Sequence, residues 1–164
     1  MDPMMRRQRD LYTLAYNHIQ KWREAKAEGG ATVQKLVNAQ LLLADPEASK
    51  TVDVDFDADR TMAEVQGLAE AMATMTERLS TIVERLRKAA TQLSAVGAPL
   101  SLAEQVGKVA TGYQREVEWL SLAEWWRKDE ADVLRSLAAA WTHEPYADCD
   151  LVESVEAGLL YALS

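Results

Sequence analysis

The chain has 164 residues, of which 48% are hydrophobic, with one cysteine and a net charge of −8. This length predicts a single domain, and one cysteine excludes an intrachain disulfide and is typical of a reducing, intracellular setting. No apolar run approaches the ~18–20 residues of a membrane span, and an excess of acids repels phosphate backbones, which disfavours direct nucleic-acid binding. Few glycines and prolines, without alternating strand-like runs, favour an all-α class.

Residues 1–44 are predicted to form a helical hairpin. Apolar residues recur at three- and four-residue steps from Met4 to Ala27, and again over Thr32–Ala44, which is the period of an amphipathic helix. Gly29 and Gly30 separate the two patterns, and a pair of glycines between helical patterns is typical of a turn. Trp22 lies on the first apolar stripe and is therefore expected in the core.

An acidic loop is predicted over residues 45–61, because Pro46 follows the second helix and Asp45–Asp59 holds six acids against one base. Its acids occupy positions 1, 3, 5, 7 and 12 of a calcium-loop template: Asp53, Asp55, Asp57, Asp59 and Glu64. Ala58 stands where that template needs glycine for its sharp turn, and no helical pattern enters the loop. A solvated linker that caps the next helix is the favoured interpretation, and a calcium site is the weaker one.

A long central helix is predicted from Met62 to Val96. Two apolar series recur every seven residues without a miss over five heptads: Val65, Met72, Leu79, Leu86 and Leu93, and Leu68, Met75, Ile82, Ala89 and Val96. This spacing keeps one face of a helix against a partner along its length. Because the e positions are small or apolar instead of charged, an internal bundle helix is favoured over an intermolecular coiled coil. Asp57 or Asp59 can cap its start, and Gly97 with Pro99 can end it.

The last part of the chain, residues 62–164 with the central helix included, is predicted to pack with residues 1–44 as an elongated antiparallel helical bundle. A fourth helix begins near Ser101 and runs into an aromatic cluster, Trp119, Trp125 and Trp126. Whether it breaks at Lys128–Asp132 is open; a kink with Asp132 as a new cap is favoured. Pro145 ends this segment, and a final helix covers Leu151–Leu163.

Catalytic chemistry has little support in the sequence. His143 and Cys149 could form a nucleophile–base pair, but no oxyanion loop or orienting partner is recognisable, so a hydrolase ranks last. No glycine-rich phosphate loop is present. The sequence therefore predicts no catalytic residue, no cofactor and no firm metal site.

The segment Trp141-Thr142-His143-Glu144-Pro145-Tyr146 resembles the W-x-H-x-P-Y signature of the cyclin-dependent kinase 2-interacting protein family. Other segments match that family in the same order along the chain: Lys21-Trp22-Arg23-Glu24, Gly29, Thr32, Asn38, Tyr113-Gln114-Arg115-Glu116, Asp148, Asp150 and Val155–Leu160. The chain departs from the family in having almost no tail before its first helix. It also has Lys128–Asp132 where the family has a turn with glycine and proline.

The resemblance implies a nuclear, non-catalytic adaptor. Its implied partners are a cell-cycle kinase, a checkpoint factor and an AAA-type ATPase complex that acts in DNA replication and ribosome maturation. The partner-binding candidates are the aromatic residues of the C-terminal half and the signature: Trp119, Trp125, Trp126, Trp141, His143, Pro145 and Tyr146. Two interpretations of the signature stay open: it docks a partner, or it fixes the last helix on the bundle.

Overall fold

The structure, a computed structural model, describes residues 2–45, 47, 57–122 and 131–164, with only the backbone of Ala131. These residues form helices and no strand, so the predicted all-α class is confirmed. The helices are α1 (Pro3–Ala44), α2 (Ala58–Ala95), α3 (Leu100–Ser121), α4 (Ala131–His143) and α5 (Cys149–Leu163). None of these five combines the length and the apolar character that crossing a membrane requires.

The predicted hairpin in residues 1–44 is wrong, because α1 continues unbroken through Gly29 and Gly30. Neither glycine has the positive φ that a chain reversal would need. A glycine inside a helix costs about 0.5–1 kcal/mol relative to alanine, which favourable packing can offset. At Gly29 the missing side chain has a packing reason, since a Cβ there would lie 2.0 Å from the Trp141 ring.

The start of α2 is capped as the sequence predicts, although the helix begins at Ala58 and not at Met62. The Asp57 carboxylate accepts the backbone N–H groups of Asp59, at 3.1 Å, and of Arg60, at 3.2 Å. Such a bond satisfies an N–H group that has no partner within the first helical turn. Asp57 therefore acts in the structure as a helix cap.

Gly97 ends α2 in the left-handed region, with φ of +72°. The N–H of Gly97 donates to the Ser94 carbonyl at 3.3 Å, and that of Ala98 donates to the Leu93 carbonyl at 3.1 Å. These are the two bonds of a Schellman motif, which uses glycine because a Cβ disfavours this backbone geometry. The predicted end of the central helix is confirmed.

One apolar series of the α2 seam is buried within the single chain, whereas Leu68, Met75 and Val96 of the second series are half-buried. The first apolar series is 0–2% exposed: Val65, Met72, Leu79, Leu86 and Leu93. The buried e positions lie beside it: Ala69, Thr76, Val83 and Ala90. This wide apolar face is typical of a bundle helix, which was the interpretation favoured by the sequence.

The helices pack into two compact units. The first consists of the described residues up to Ala25, Arg78–Glu118 and Pro145–Ser164, and the second of the described parts of Lys26–Glu77 and Trp119–Glu144. α1 and α2 each contribute one part to each unit.

Within the first unit, α1 runs antiparallel to α2, and α3 runs antiparallel to α5. The Gln8 amide at the start of α1 donates to the Val96 carbonyl at the end of α2, at 2.7 Å. α5 is antiparallel to α3, because Gly158 near its end faces Leu102, whereas the turn before it lies on Gly112. This pairing holds the start of α5 on the middle of α3.

α3 ends before the predicted break. Its last residue is Ser121, followed by a turn at Leu122, and residues 123–130 lie outside the described part of the chain. α4 begins at Ala131, so Asp132 lies inside its first turn and is not the cap that the sequence suggested. An acid in the first turn still interacts favourably with the helix dipole.

Candidate interaction site

Two aromatic rings join α1 to α3 in the first unit. Trp22 stacks on Tyr113 with ring centroids 3.8 Å apart and an angle of 3° between the ring planes. Both side chains are buried, at 1% and 2% exposed. The predicted core role of Trp22 is confirmed, and its partner Tyr113 is the first residue of the family-matched segment Tyr113-Gln114-Arg115-Glu116.

Glu116, the last residue of that segment, binds the turn between α4 and α5. Glu116 is fully buried, and one oxygen of its carboxylate accepts the backbone N–H groups of Tyr146 and, at 3.1 Å, of Ala147. Its other oxygen has no hydrogen-bond partner among the described residues. Gly112 lets this turn approach closely, since a Cβ there would lie 3.0 Å from the Tyr146 carbonyl oxygen. The acid on α3 therefore replaces the hydrogen bonds that the turn cannot make to itself.

α5 is fixed at its start and on one flank. The Asp148 carboxylate caps the helix by accepting the Leu151 N–H at 3.0 Å. Farther along, Glu156 accepts hydrogen bonds from Gln20 and from Arg23, with which it also forms an ion pair. Asp148 was matched to the acidic residues of the family signature, and its role in the structure is that of a cap.

A groove of about 240 Å³ lies between α3 and the start of α5. Lys108 and Arg115 of α3 contribute its basic groups, and Tyr146 its aromatic one. The remaining lining is mostly apolar or backbone: Val109, Thr111, Gly112, Tyr113, Ala147, Asp148, Leu151 and Val152. Tyr146 is 46% exposed, so part of its ring is accessible beside the two cations. Tyrosine and arginine are both enriched in protein–protein interfaces, so this pair of residues is compatible with a protein-binding site.

In the second unit, Trp141 is a core residue. It is 1% exposed, and its indole N–H donates to the Lys26 carbonyl at 2.8 Å. The Lys26 ammonium group lies 4.2 Å from the centre of the indole ring, which is a cation–π contact, and the ring covers Gly29. The proposal of Trp141 as a docking residue is therefore corrected: its ring holds α4 on α1 and is not available at the surface.

The other docking candidates are distributed differently. Trp119 is half-buried, whereas His143 and Pro145 are exposed beside the exposed Tyr146. Trp125 and Trp126 lie outside the described residues. No prediction singled out Lys108, Arg115 or Gly112 as groove residues, because their proximity to Tyr146 depends on how α5 folds back on α3.

The acidic residues of the calcium template are only partly described. Asp53 and Asp55 lie outside the described part of the chain, Asp57 is a helix cap, and Asp59 and Glu64 are exposed in the first turns of α2. The described residues contain no cluster of three or more metal-ligating side chains. Cys149 is exposed as the first residue of α5.

Comparison with known proteins yields no match to a protein-family model, to a curated protein or to a solved structure.

Proposed function

We propose that this protein is a non-catalytic adaptor of the nucleus, related to the cyclin-dependent kinase 2-interacting protein family. In this proposal it joins a cell-cycle kinase or checkpoint factor to an AAA-type ATPase complex in DNA replication and ribosome maturation. The resemblance in the sequence provides the partners, and the contacts within the molecule support the resemblance.

The main supporting observation is that the separate motifs of the resemblance contact one another. Trp22 of the Lys-Trp segment stacks on Tyr113, and Glu116, three residues farther on, binds the turn at Tyr146. A related protein with the same fold would need the same residues at these contacts, although they are far apart in the chain. If each motif matched the family only by chance, there would be no reason for the matched residues to contact one another.

The surface also suits an interaction protein. Within the described residues, Tyr146, Leu160 and Tyr161 are large apolar side chains that are 46–84% exposed in the first unit. Apolar groups on a surface cost about 25 cal/mol per Å² relative to burial, and a partner that covers them recovers this energy.

The test is affinity purification of the tagged chain from its own cells, followed by mass spectrometry of the captured proteins. We expect an AAA-type ATPase and a cell-cycle kinase or checkpoint factor among them, and the tagged chain in the nuclear fraction. A chain that elutes alone, or only with proteins of other classes, would contradict the proposal.

The matched control is the variant Leu79→Asp. Leu79 is fully buried, and an unpaired buried charge disrupts a core. Proteins captured by both chains recognise unfolded polypeptide, and only those captured by the native chain count as partners.

A further inference from the structure

We propose that the groove between α3 and α5 binds an acidic segment of a partner protein. The proposal rests on the adaptor function above and adds where the partner docks and with what chemistry. The bound segment has two anionic side chains with two apolar residues between them.

The groove is built on a fixed framework. Glu116 binds the Tyr146–Ala147 backbone, and Asp148 caps α5, so the walls on the α5 side are held by hydrogen bonds. The opposite wall is the continuous helix α3. A preformed site loses less conformational entropy on binding than a mobile one does.

Two cations of the groove lack partners. Among the described residues, neither the Lys108 ammonium group nor the Arg115 guanidinium group forms an ion pair or a hydrogen bond. The one carboxylate in the lining, that of Asp148, accepts the Leu151 N–H instead. Two unpaired cations beside an aromatic ring favour an anionic ligand.

The spacing of the cations indicates the shape of that ligand. Lys108 and Arg115 are seven residues apart on α3, which is roughly 10 Å along the helix axis. An extended peptide advances about 3.3 Å per residue, so acids three positions apart span the same distance. The residues between them would lie over the half-buried part of the lining at Gly112 and Leu151.

The net negative charge of the chain bears on how an acidic segment could bind. At −8, the whole molecule repels an acidic peptide at long range, so productive binding requires local cations. Acids are frequent from Asp129 to Glu156, and this part of the sequence taken alone would favour a basic partner. In the lining of the groove itself, the cations Lys108 and Arg115 outnumber the one acid, Asp148, so the local charge favours an acidic segment.

The test is fluorescence anisotropy of labelled peptides with the full chain. The probes are Gly-Ser-Glu-Leu-Val-Glu-Ser-Gly, the same peptide with phosphoserine for each glutamate, and the same peptide with glutamine. We expect the glutamate peptide to bind at least ~10-fold more tightly than the glutamine peptide, because only the glutamate side chains carry negative charges for the two cations. The phosphoserine arm decides whether carboxylate or phosphate is the preferred anion.

The charge-reversal variant is Lys108→Glu with Arg115→Glu, and its matched control is Arg87→Glu with Lys88→Glu. Both pairs are exposed, lie in the first unit and change the net charge equally. We expect the groove variant to weaken binding of the glutamate peptide at least ~10-fold, and the control less than ~3-fold, with helicity unchanged in both.

Amide chemical shifts of the unmodified chain provide a second readout that needs no variant. Saturating glutamate peptide should move the Gly112, Ala147 and Leu151 resonances most. The proposal would be overturned if both charge variants lost peptide affinity equally, if other resonances moved most, or if the anionic peptides bound no more tightly than the glutamine peptide. A short oligodeoxythymidine is a further probe, and tighter binding of this DNA than of the peptides would also overturn the proposal. If the peptide does not bind but the affinity purification captures the expected partners, the adaptor function stands and only the groove proposal is wrong. If the affinity purification does not capture those partners, the adaptor function itself is contradicted.

Discussion

Two buried polar side chains in this protein hold elements together: Glu116 binds the turn before α5, and the Trp141 indole binds the Lys26 carbonyl. Glu116 shows this most clearly, because a fully buried carboxylate serves two backbone N–H groups of the turn before α5. The two N–H groups are part-buried, and leaving a buried N–H group unsatisfied costs about 1–3 kcal/mol, so we expect the acceptor to contribute more than the charge.

Substituting Glu116 separates these two contributions. Glu116→Gln keeps a carbonyl oxygen for the turn and should change the free energy of unfolding by less than ~1 kcal/mol. Glu116→Ala leaves two N–H groups without an acceptor and should cost about 2–4 kcal/mol. Urea unfolding of the two variants measures the difference; equal losses would show that the charge, and not the acceptor, stabilises the turn.

The two adjacent glycines of α1 provide a second pair of variants. A Cβ on Gly29 would lie 2.0 Å from the Trp141 ring, whereas one on Gly30 would lie 3.9 Å from it. Alanine is favoured over glycine in a helix by about 0.5–1 kcal/mol. We therefore expect Gly30→Ala to raise the melting temperature and Gly29→Ala to lower it. A rise in both would mean that Trp141 does not pack on Gly29 as described.

At the element scale, α2 is the helix whose sequence is most consistent with its structure. Its heptad repeat, its aspartate cap and its glycine terminus could be predicted from the sequence, because each depends on residues close together in the chain. The turn predicted at Gly29 was wrong, because a glycine is equally typical of a turn and of a position where another element approaches closely. The groove could not be predicted, since Lys108 and Tyr146 meet only through the fold.

Shortening a buried leucine of the α2 seam should lower the free energy of unfolding by a large amount. Leu79 and Leu86 are both fully buried, so replacing either with alanine should cost about 2–5 kcal/mol through lost burial and a residual cavity. Glu84→Ala, on the exposed side of the same helix, should change the stability by less than ~0.5 kcal/mol. A loss below ~1 kcal/mol for both leucine variants would show that the seam is open in the isolated chain.

At the scale of the whole molecule, one buried histidine links stability to pH. His18 is 5% exposed, and its Nδ1 atom has no partner among the described residues. Burial lowers the pKa of His18, and the nearby cations Lys21 and Arg85 lower this pKa further. Below pH ~6.5 the unfolded state therefore binds more protons at this residue than the folded state does.

The sign of the pH effect follows from this depressed pKa. The folded state should lose stability as the pH falls from ~6.5 toward the folded-state pKa, and should gain nothing further from His18 above that window. His18→Gln should flatten the dependence between pH 7 and pH 5, where most carboxylates stay ionised. Denaturant unfolding at a series of pH values checks this; identical slopes for both chains would contradict it.

The segment Trp141–Tyr146 has two separate roles, because Trp141 stabilises the fold and Tyr146 forms part of a surface. Urea unfolding of Trp141→Ala and Tyr146→Ala, measured side by side, distinguishes these roles. We predict a loss of about 3–5 kcal/mol for Trp141→Ala, whose ring is 1% exposed, and less than ~1 kcal/mol for Tyr146→Ala, whose side chain is 46% exposed. A loss below ~1 kcal/mol for Trp141→Ala, or equal losses for the two variants, would show that the two residues do not have separate roles.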